Sequence, residues 1–234
     1  MYKNHRIVCI IPARGGSKGL PRKNILEICG KPLIAFTIEQ ALASSYIDMV
    51  VVSTENEEIA KISKSYGADV PFMRPMELAQ DDTSSTAVLL HSLNWLENKG
   101  QNFDIVVMLH VTSPLRTVED INNCIIKLVE ENAENVFSVT PSCRNPYFNM
   151  VEIAGGKVVQ VKTGDYPSRQ SAPAVYDLNA SIYVWWKDVL VKKPSVYFEN
   201  SKIYVMPRER SVDIDDEIDF ELVKLLMEKK HELR

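Results

Sequence analysis

Short apolar segments alternate with amphipathic segments along the chain up to Thr140, and this alternation constrains the fold more than any other feature. The apolar segments, such as "IVCIIPA" and "IVVML", are continuous, which is typical of strands that are buried on both faces. The amphipathic segments have helical spacing, as in 85–100, where Leu89, Leu93 and Leu96 share one face. The alternation therefore predicts an α/β fold with a mostly parallel sheet and helices on both faces.

The pattern changes after Thr140, where the strand–helix alternation stops. Residues 147–162 predict a β-hairpin that turns at the glycine pair 155–156. We expect a single domain over 1–234, interrupted by an arm at 141–178. Because a lone hairpin is only marginally stable in water, the arm is expected to pack on another subunit or over the active site.

Two further elements are predicted after the arm. The segment 181–186, "SIYVWW", predicts a strand whose Tyr183, Trp185 and Trp186 are more typical of a core than of a binding site. The segment 216–234 predicts a helix with an inward apolar face. The residues predicted to form that inward face are Ile218, Leu222, Leu225 and Leu226.

The composition excludes several classes of protein. With 27 Lys and Arg against 31 Asp and Glu, the net charge is −4, so a nucleic-acid partner is not expected. The apolar runs are too short to cross a bilayer, and the first one is interpreted as a strand, which predicts a cytoplasmic protein with no membrane partner. The scattered four cysteines and four histidines indicate neither a zinc site nor a disulfide framework.

A basic, glycine-rich loop, "ARGGSKGLPRKN" at 13–24, follows the predicted first strand. It combines three glycines with four cations and contains no acid. In an open parallel sheet, ligands bind beyond the carboxyl ends of the strands, where this loop is expected to lie. Glycine backbone N–H groups and nearby cations are suited to a polyphosphate, although the loop matches neither the Walker A nor the G-x-G-x-x-G pattern. The alternative is a solvated basic loop without a ligand.

An acidic segment, "SVDIDDEID" at 211–219, is the second candidate site. In extended conformation Asp213 and Asp215 point to one side, with Ile214 buried opposite. Two carboxylates on one face suit Mg²⁺, which prefers one or two carboxylates together with phosphate oxygens and water. The alternative is an acid-rich helix N-terminus, which explains the later acids of the segment better than it explains this pair.

Four segments resemble, in order, the successive motifs of the acylneuraminate cytidylyltransferases, also called CMP-sialic acid synthetases. They are "IIPARGGSKGLPRKN", "MRPMELAQDDTSS", "TSPLRT" and "VDIDDEID". Two further stretches, 144–149 and 169–183, most resemble the branch that activates legionaminic acid, a bacterial relative of sialic acid.

The resemblance implies a Rossmann-like nucleotidyltransferase in which a nine-carbon 2-keto sugar acid and CTP give the CMP-sugar and pyrophosphate. It also implies a homodimer, with 141–178 as a dimerisation and sugar-binding arm, and Mg²⁺ as the cofactor at Asp213 and Asp215. The implied catalytic residues are Arg14, Lys23, Asp213 and Asp215. The implied nucleotide-binding residues are Arg14, Ser17, Lys18, Lys23, Asn24, Arg74, Asp82, Ser84, Ser85 and His110. The candidate sugar-binding residues are Arg144, Asn145, Tyr147, Phe148, Arg169, Gln170, Tyr176, Asp177, Asn179 and Tyr183.

Two positions depart from the pattern of sialic-acid members. His110 and Val111 stand where those members commonly have Gln-Pro, and we expect His110 to donate the hydrogen bond of the glutamine. Asp177 stands where they often have Arg; since an acid repels the sugar carboxylate, Asp177 is expected to meet hydroxyl or amide donors, and Arg169 to meet the carboxylate.

Some alternatives remain open at this point. The aromatic residues of the arm are either sugar platforms or dimer contacts. The substrate is expected to be a legionaminate-type acid, with N-acetylneuraminate, pseudaminate and Kdo as alternatives. A non-catalytic nucleotide-sensing domain is the alternative from another class.

Overall fold

The computed structural model describes residues 1–16 and 19–232. Its strands are β1 (Ile7–Pro12), β2 (Glu27–Ile28), β3 (Lys31–Pro32), β4 (Met49–Ser53), β5 (Ile105–Leu109), β6 (Asn135–Pro141), β7 (Val151–Ala154), β8 (Lys157–Gln160), β9 (Tyr176–Trp186) and β10 (Ser201–Val205). Its α-helices are α1 (Leu33–Leu42), α2 (Glu57–Ser65), α3 (Ser85–Asn98), α4 (Val118–Glu130), α5 (Lys187–Lys192) and α6 (Glu217–Glu232). Over the described ranges, no helix has the length and apolar character needed to cross a membrane.

The central sheet contains six of the described strands in the order β10-β6-β9-β5-β1-β4. Strand β1 is parallel to both β4 and β5, and β10 is parallel to β6, whereas β9 is antiparallel to β5 and β6. The prediction of a mostly parallel sheet is therefore confirmed, with β9 as the antiparallel strand. Its direction follows from the arm, which leaves the sheet at Pro141 and returns at Tyr176, the residue that pairs with Pro141.

Helices cover both faces of the sheet, as the alternation predicts. Successive residues of β1 point to opposite faces: Ile7 and Cys9 belong to one buried cluster, and Val8 and Ile10 to the other. The first cluster includes residues of α1, α2, α4 and α6, and the second includes residues of α3 and α5. The continuous apolar character of β1 thus reflects burial on both faces.

The start of α4 shows how local sequence fixes an element. The Thr117 hydroxyl accepts the Asp120 backbone N–H at 3.2 Å, and the Asp120 carboxylate accepts the Thr117 N–H at 2.8 Å, which forms a capping box. Arg210, far away in sequence, also donates to Asp120 at 2.8 Å and 3.0 Å. The cap therefore also joins α4 to the segment that precedes α6.

The prediction for the inward face of α6 is wrong for three of its four residues. Ile218, Leu222 and Leu225 are exposed, and Val223 and Met227 are buried instead. Apolar residues occur almost all round the middle of this helix, so their spacing did not determine one face. The rotation of the helix is set upstream, where buried Ile214 donates its backbone N–H to the Thr112 carbonyl at 2.9 Å.

The arm contains the predicted hairpin, formed by β7 and β8. It turns at Gly155 and Gly156, which have φ of +57° and +76°, values that favour glycine. Apolar side chains of the hairpin are poorly covered by the rest of the chain, since Ile153 is 80% exposed and Val158 is 71% exposed.

Candidate active site

Four of the predicted nucleotide-binding residues meet at the edge of the sheet where β1, β4 and β5 have their carboxyl ends. A cavity of about 240 Å³ opens there, between the end of β1 and the start of α3. Arg14, Arg74, Ser85 and His110, all predicted to bind nucleotide, contribute to its lining. The topology thus brings together residues that lie far apart in sequence.

The glycines of the loop 13–24 allow it to pack closely on both sides. A Cβ on Gly15 would lie 2.8 Å from Nδ2 of Asn56, and a Cβ on Gly19 would overlap the backbone oxygen of Asp215. Glycine is therefore required for close packing at Gly19, where the contact is with backbone, whereas at Gly15 the Asn56 side chain would have to move. Two residues of this loop that the sequence predicts to bind nucleotide, Ser17 and Lys18, lie outside the described residues.

Arg14 and Asn24 connect the two ends of the loop. The Asn24 side chain donates from Nδ2 to the Arg14 carbonyl at 2.8 Å, which closes the base of the loop. The Arg14 guanidinium lies 2.6 Å from Oδ1 of Asp81, across the cavity entrance. Arg14 is thereby held over the cavity by a carboxylate that a bound phosphate would have to replace or share.

Lys23 joins the basic loop to the acidic segment. Its side chain is only 12% exposed, and its ammonium donates to the Ile214 carbonyl and lies 3.4 Å from Oδ1 of Asp215. The two candidate sites found in the sequence are therefore parts of one site. A lysine in this position counters the charge of the acids.

Asp213 and Asp215 differ in environment although they alternate about buried Ile214 as predicted. The Asp215 side chain is 80% exposed, whereas Asp213 is half-buried. Burial raises the pKa of Asp213, opposed by a hydrogen bond with Thr112, and the neighbouring charge of Asp215 raises it further. Oδ1 of Asp213 is buried and has no hydrogen-bond partner among the described residues.

This donor set fits Mg²⁺ as a cofactor that also uses substrate oxygens. Within the described ranges, no three side chains of the His, Cys, Asp and Glu types are grouped so as to hold a metal by themselves. Mg²⁺ does not need such a cage, since it commonly binds one or two carboxylates together with phosphate oxygens and water. The unpaired buried oxygen of Asp213 is the observation that favours a cation here.

His110 lies at the end of β5 with its ring 5.7 Å from that of Tyr183. Burial, followed by the charges of Arg116 and Lys23, lowers the pKa of His110 to about 4, so the ring is neutral at pH 7. A neutral imidazole has one donor and one acceptor, which is compatible with the hydrogen bond predicted for this position.

Sequence reasoning missed two charged residues that contact the site, the buried Arg116 and the half-buried Glu55. Arg116 donates to the His110 carbonyl and to the Ser181 hydroxyl, the latter at 3.1 Å, and burial lowers its pKa to about 10. Glu55 accepts a hydrogen bond from the loop and forms an ion pair with Arg74. The "TSPLRT" motif pointed to the region of Arg116, but no sequence signal marked Glu55.

The remaining predicted nucleotide residues lie beside the cavity. Ser84 caps α3, where its hydroxyl accepts the Ala87 N–H at 3.2 Å, and Ser85 lines the cavity. Asp82 is exposed. The cap explains why a serine stands at position 84 whether or not it also contacts a ligand.

A second cavity of about 300 Å³ lies at the base of the arm, next to the start of β9. The predicted sugar-binding residues that line it are Asn145, Arg169, Gln170 and Tyr176. Arg169 donates to the Ser142 carbonyl at 2.5 Å, and the Asn145 amide donates to the Pro173 carbonyl at 2.9 Å. Asn145 therefore shapes this cavity through its contacts with the chain.

The other predicted sugar-binding residues are not part of either cavity lining. Asn179 is buried, where its Oδ1 accepts from the Ser138 hydroxyl at 2.7 Å and its Nδ2 donates to the Ser211 hydroxyl at 3.0 Å. Tyr183 is buried and stacks on Trp185, as predicted for a core residue. Arg144, Tyr147 and Phe148 lie on the arm, and Asp177 is the second residue of β9.

The comparisons with known proteins agree on one family. The family model described as Cytidylyltransferase matches residues 8–233. The CMP-N,N'-diacetyllegionaminic acid synthase of Campylobacter jejuni is 41% identical over 226 residues, which cover 96% of each chain. The pseudaminic acid cytidylyltransferase of Campylobacter jejuni is 35% identical, with 96% of this chain and 97% of that protein covered.

A solved structure supports the fold independently. A CMP:2-keto-3-deoxy-manno-octonic acid synthetase in complex with CTP superposes with a TM-score of 0.72, covering 96% of this chain and 99% of that chain, at 19% identity. At this identity the likeness concerns the fold alone. Taken with the family match over nearly the whole chain and the relatives of similar length, it shows that the chain belongs to the cytidylyltransferase family of nucleotidyltransferases.

Proposed function

We propose that this enzyme transfers CMP from CTP to a nine-carbon 2-keto sugar acid and releases pyrophosphate. The observation that carries the proposal is the contact between the basic loop and the acidic segment, made by Lys23 and by the close packing of Gly19 on Asp215. In this proposal, the cations of the loop bind the triphosphate, and the carboxylates of the acidic segment hold a metal beside the same reacting phosphate. The reaction is expected in the cytoplasm, where CTP is available.

The chain acts by positioning and by neutralising charge. The anomeric hydroxyl of the sugar acid attacks the α-phosphorus in line, a P–O bond forms to the sugar, the bond between the α-phosphorus and the oxygen that bridges to the β-phosphate breaks, and the hydroxyl proton is released to water. Arg14 and Lys23, which pair with Asp81 and Asp215, are proposed to bind the phosphates and the leaving pyrophosphate. Mg²⁺ held by Asp213 and Asp215 would supply further neutralisation of the phosphate charge.

The base of the nucleotide is proposed to enter the cavity of about 240 Å³ that His110 and Arg74 line. The neutral His110 ring offers a donor and an acceptor there, and Arg74 offers a buried guanidinium. The solved synthetase with the same fold contains CTP, which supports a cytidine nucleotide for this fold type.

The sugar acid is proposed to be of the legionaminate type. A relative that is 41% identical is named for N,N'-diacetyllegionaminic acid, and one that is 35% identical is named for pseudaminic acid, which is the alternative that the comparisons favour next. The cavity of about 300 Å³ at the base of the arm offers Arg169 near exposed Tyr176, and Asp177 follows directly.

A homodimer is part of the proposal because the arm is incomplete alone. The hairpin exposes apolar residues on an element that has no core of its own, and a second copy of the chain would cover them.

The direct test is turnover with CTP, Mg²⁺ and a panel of nonulosonic acids, measured by pyrophosphate release and by mass spectrometry of the CMP-sugar. We expect turnover with at least one acid and none when Mg²⁺ is removed by a chelator. CTP binding by calorimetry without turnover for any acid would instead favour a nucleotide-sensing domain.

A further inference from the structure

Glu55 lies two residues beyond the end of β4 (Met49–Ser53), at the same edge of the sheet as the basic loop 13–24. Both oxygens of its carboxylate are used: Oε1 accepts the Gly15 backbone N–H at 2.5 Å, and Oε2 accepts from Nη2 of Arg74 at 2.6 Å. One side chain therefore contacts both the loop and a residue of the nucleotide cavity.

A carboxylate next to a site for a triphosphate needs a physical explanation, because it would repel the phosphates if it were uncompensated. The Glu55 side chain is 10% exposed and that of Arg74 is 3% exposed. Because neither charge is well solvated, each is compensated by the other. Burial alone would raise the pKa of Glu55, but the hydrogen bonds from Arg74 and the Gly15 N–H lower it overall, so the ion pair persists at neutral pH.

The pair also fixes where Arg74 stands. The Arg74 backbone N–H donates to the Thr54 carbonyl at 2.8 Å, one residue before Glu55. Nε of Arg74 is buried and has no hydrogen-bond partner among the described residues, and Arg74 lines the cavity together with Arg14 and His110. A buried donor held in place but left unpaired is available to a ligand.

We propose that Glu55 is a positioning residue: it sets the distance between the start of the phosphate-binding loop and Arg74, so that both engage one nucleotide. The proposal rests on the proposed function. Glu55 itself has no free oxygen for the ligand, and it acts through Gly15 and Arg74. Its effect should therefore fall on CTP binding, with little effect on the affinity for the sugar acid.

Glu55→Gln is the informative variant, since it keeps the size of the side chain and an acceptor for the Gly15 N–H but loses the charge that pairs with Arg74. We expect the Kd for CTP, measured by calorimetry with Mg²⁺ and no sugar acid, to rise about 10–100-fold, a range typical of residues that orient a binding group. The KM for the sugar acid at saturating CTP should stay within about twofold of the wild type.

Asp48→Asn is the matched control. Asp48 also joins a backbone N–H at β1 to a cation, because its carboxylate accepts from Ile7 N at 2.7 Å and pairs with the Met1 ammonium at 2.9 Å, but it does so at the opposite edge of the sheet. Both variants are expected to lower Tm, and only Glu55→Gln should change CTP binding.

A double-mutant cycle with Arg74→Gln tests whether Glu55 acts through Arg74. Once Arg74 is neutral, adding Glu55→Gln should weaken CTP binding by less than about twofold. The double variant also restores a neutral polar pair, so it carries the test if Glu55→Gln alone does not fold.

Three results would overturn the proposal. The first is a Kd for CTP in folded Glu55→Gln that equals the wild-type value. The second is a loss of CTP affinity matched by an equal rise in the KM for the sugar acid. The third is that the effects of Glu55→Gln and Arg74→Gln on CTP binding add fully in the double variant. Failure of the wild-type protein to bind CTP would remove the proposed function as well, which separates it from these results.

Discussion

At the scale of single residues, Asp215 provides the clearest test of the metal assignment. Its side chain is 80% exposed, so Asp215→Asn removes one charge from the pair with little cost in stability. We expect kcat to fall roughly 10²–10³-fold, as for the loss of other preorganised groups that stabilise charge, with an unchanged Tm. Steady-state kinetics at saturating Mg²⁺ measure the change in kcat, and thermal unfolding measures Tm.

Asp216→Asn is the control for this prediction. Asp216 is also an exposed acid, but its Oδ1 accepts from the backbone N–H groups of Ile218 and Asp219 at 2.9 Å and 3.0 Å, as expected for the start of a helix. Because asparagine keeps an Oδ1 acceptor for these N–H groups, this variant should retain the cap and keep activity within a few-fold. If Asp215→Asn also keeps activity within a few-fold, Asp215 is a helix-start residue and not a metal ligand.

His110 gives a prediction for pH because its pKa is about 4 in the folded protein against 6.5 for an ordinary histidine. Above pH 6.5 the ring is neutral in both states. Between pH 6.5 and pH 4 the unfolded chain takes up a proton that the folded chain does not, so the free energy of unfolding falls as pH falls through this window. The contribution is about 3 kcal/mol.

Urea denaturation at pH 7 and pH 4 measures this loss for the wild type and for His110→Gln. Since the pKa values of Glu55 and Asp120 are lowered, both proteins lose stability in acid for other reasons, and the difference between them isolates His110. Arg116 and Lys23, whose charges help to lower the pKa of His110, are present in both proteins and therefore cancel in this difference. Equal losses for wild type and His110→Gln would contradict the assignment.

At the scale of elements, the hairpin of β7 and β8 is expected to hold a dimer together. Light scattering at micromolar concentration should give about twice 26.5 kDa. Ile153→Asp should yield a monomer with an unchanged Tm at low concentration, because Ile153 is exposed on the isolated chain and the substitution removes no intrachain core contact.

Val191→Asp is a control for charge placed on an exposed apolar position outside the arm, since Val191 is exposed on α5. It should remain a dimer. An active wild-type monomer would contradict the role of the arm, and a dimer that survives Ile153→Asp would place the interface elsewhere.

The elements that the sequence predicted well are those whose own residues decide their structure. The hairpin turn at Gly155 and Gly156 is an example, because turn chemistry acts within a few residues. The parallel pairing of β10 with β6 and the inward face of α6 were not predictable in this way. Both depend on where distant segments dock, as Ile214 does on Thr112.

At the scale of the whole molecule, the site is a product of topology. The sheet order places the ends of β1, β4 and β5 side by side, so that the loop after β1, Glu55 after β4 and His110 after β5 become neighbours. The sequence identified the loop and the acidic pair from charge and spacing. It did not reveal that Lys23 joins them or that Glu55 lies beneath the loop, because these contacts exist only after folding.

The proposed choice of sugar acid can be measured in competition. Legionaminic acid replaces hydroxyls of sialic acid by acetamido and methyl groups, which require acceptors for amide N–H and apolar surface. Tyr176 and Asp177 are exposed at the start of β9, where Tyr176 lines the cavity at the base of the arm. We expect a preference for a legionaminate-type acid over N-acetylneuraminate.

Both acids are supplied in one reaction, and the CMP-sugars are separated by mass spectrometry. Asp177→Ala should reduce the preference about tenfold, since an acceptor that pairs with an amide N–H of one acid favours it over an analogue that lacks this group, while the Kd for CTP stays unchanged. Asp188→Ala, which removes another exposed carboxylate at the carboxyl end of β9, is the control and should keep the wild-type ratio. If CMP-N-acetylneuraminate predominates with the wild-type enzyme, the legionaminate proposal is wrong, and the cytidylyltransferase assignment is unaffected because it does not depend on which acid is used.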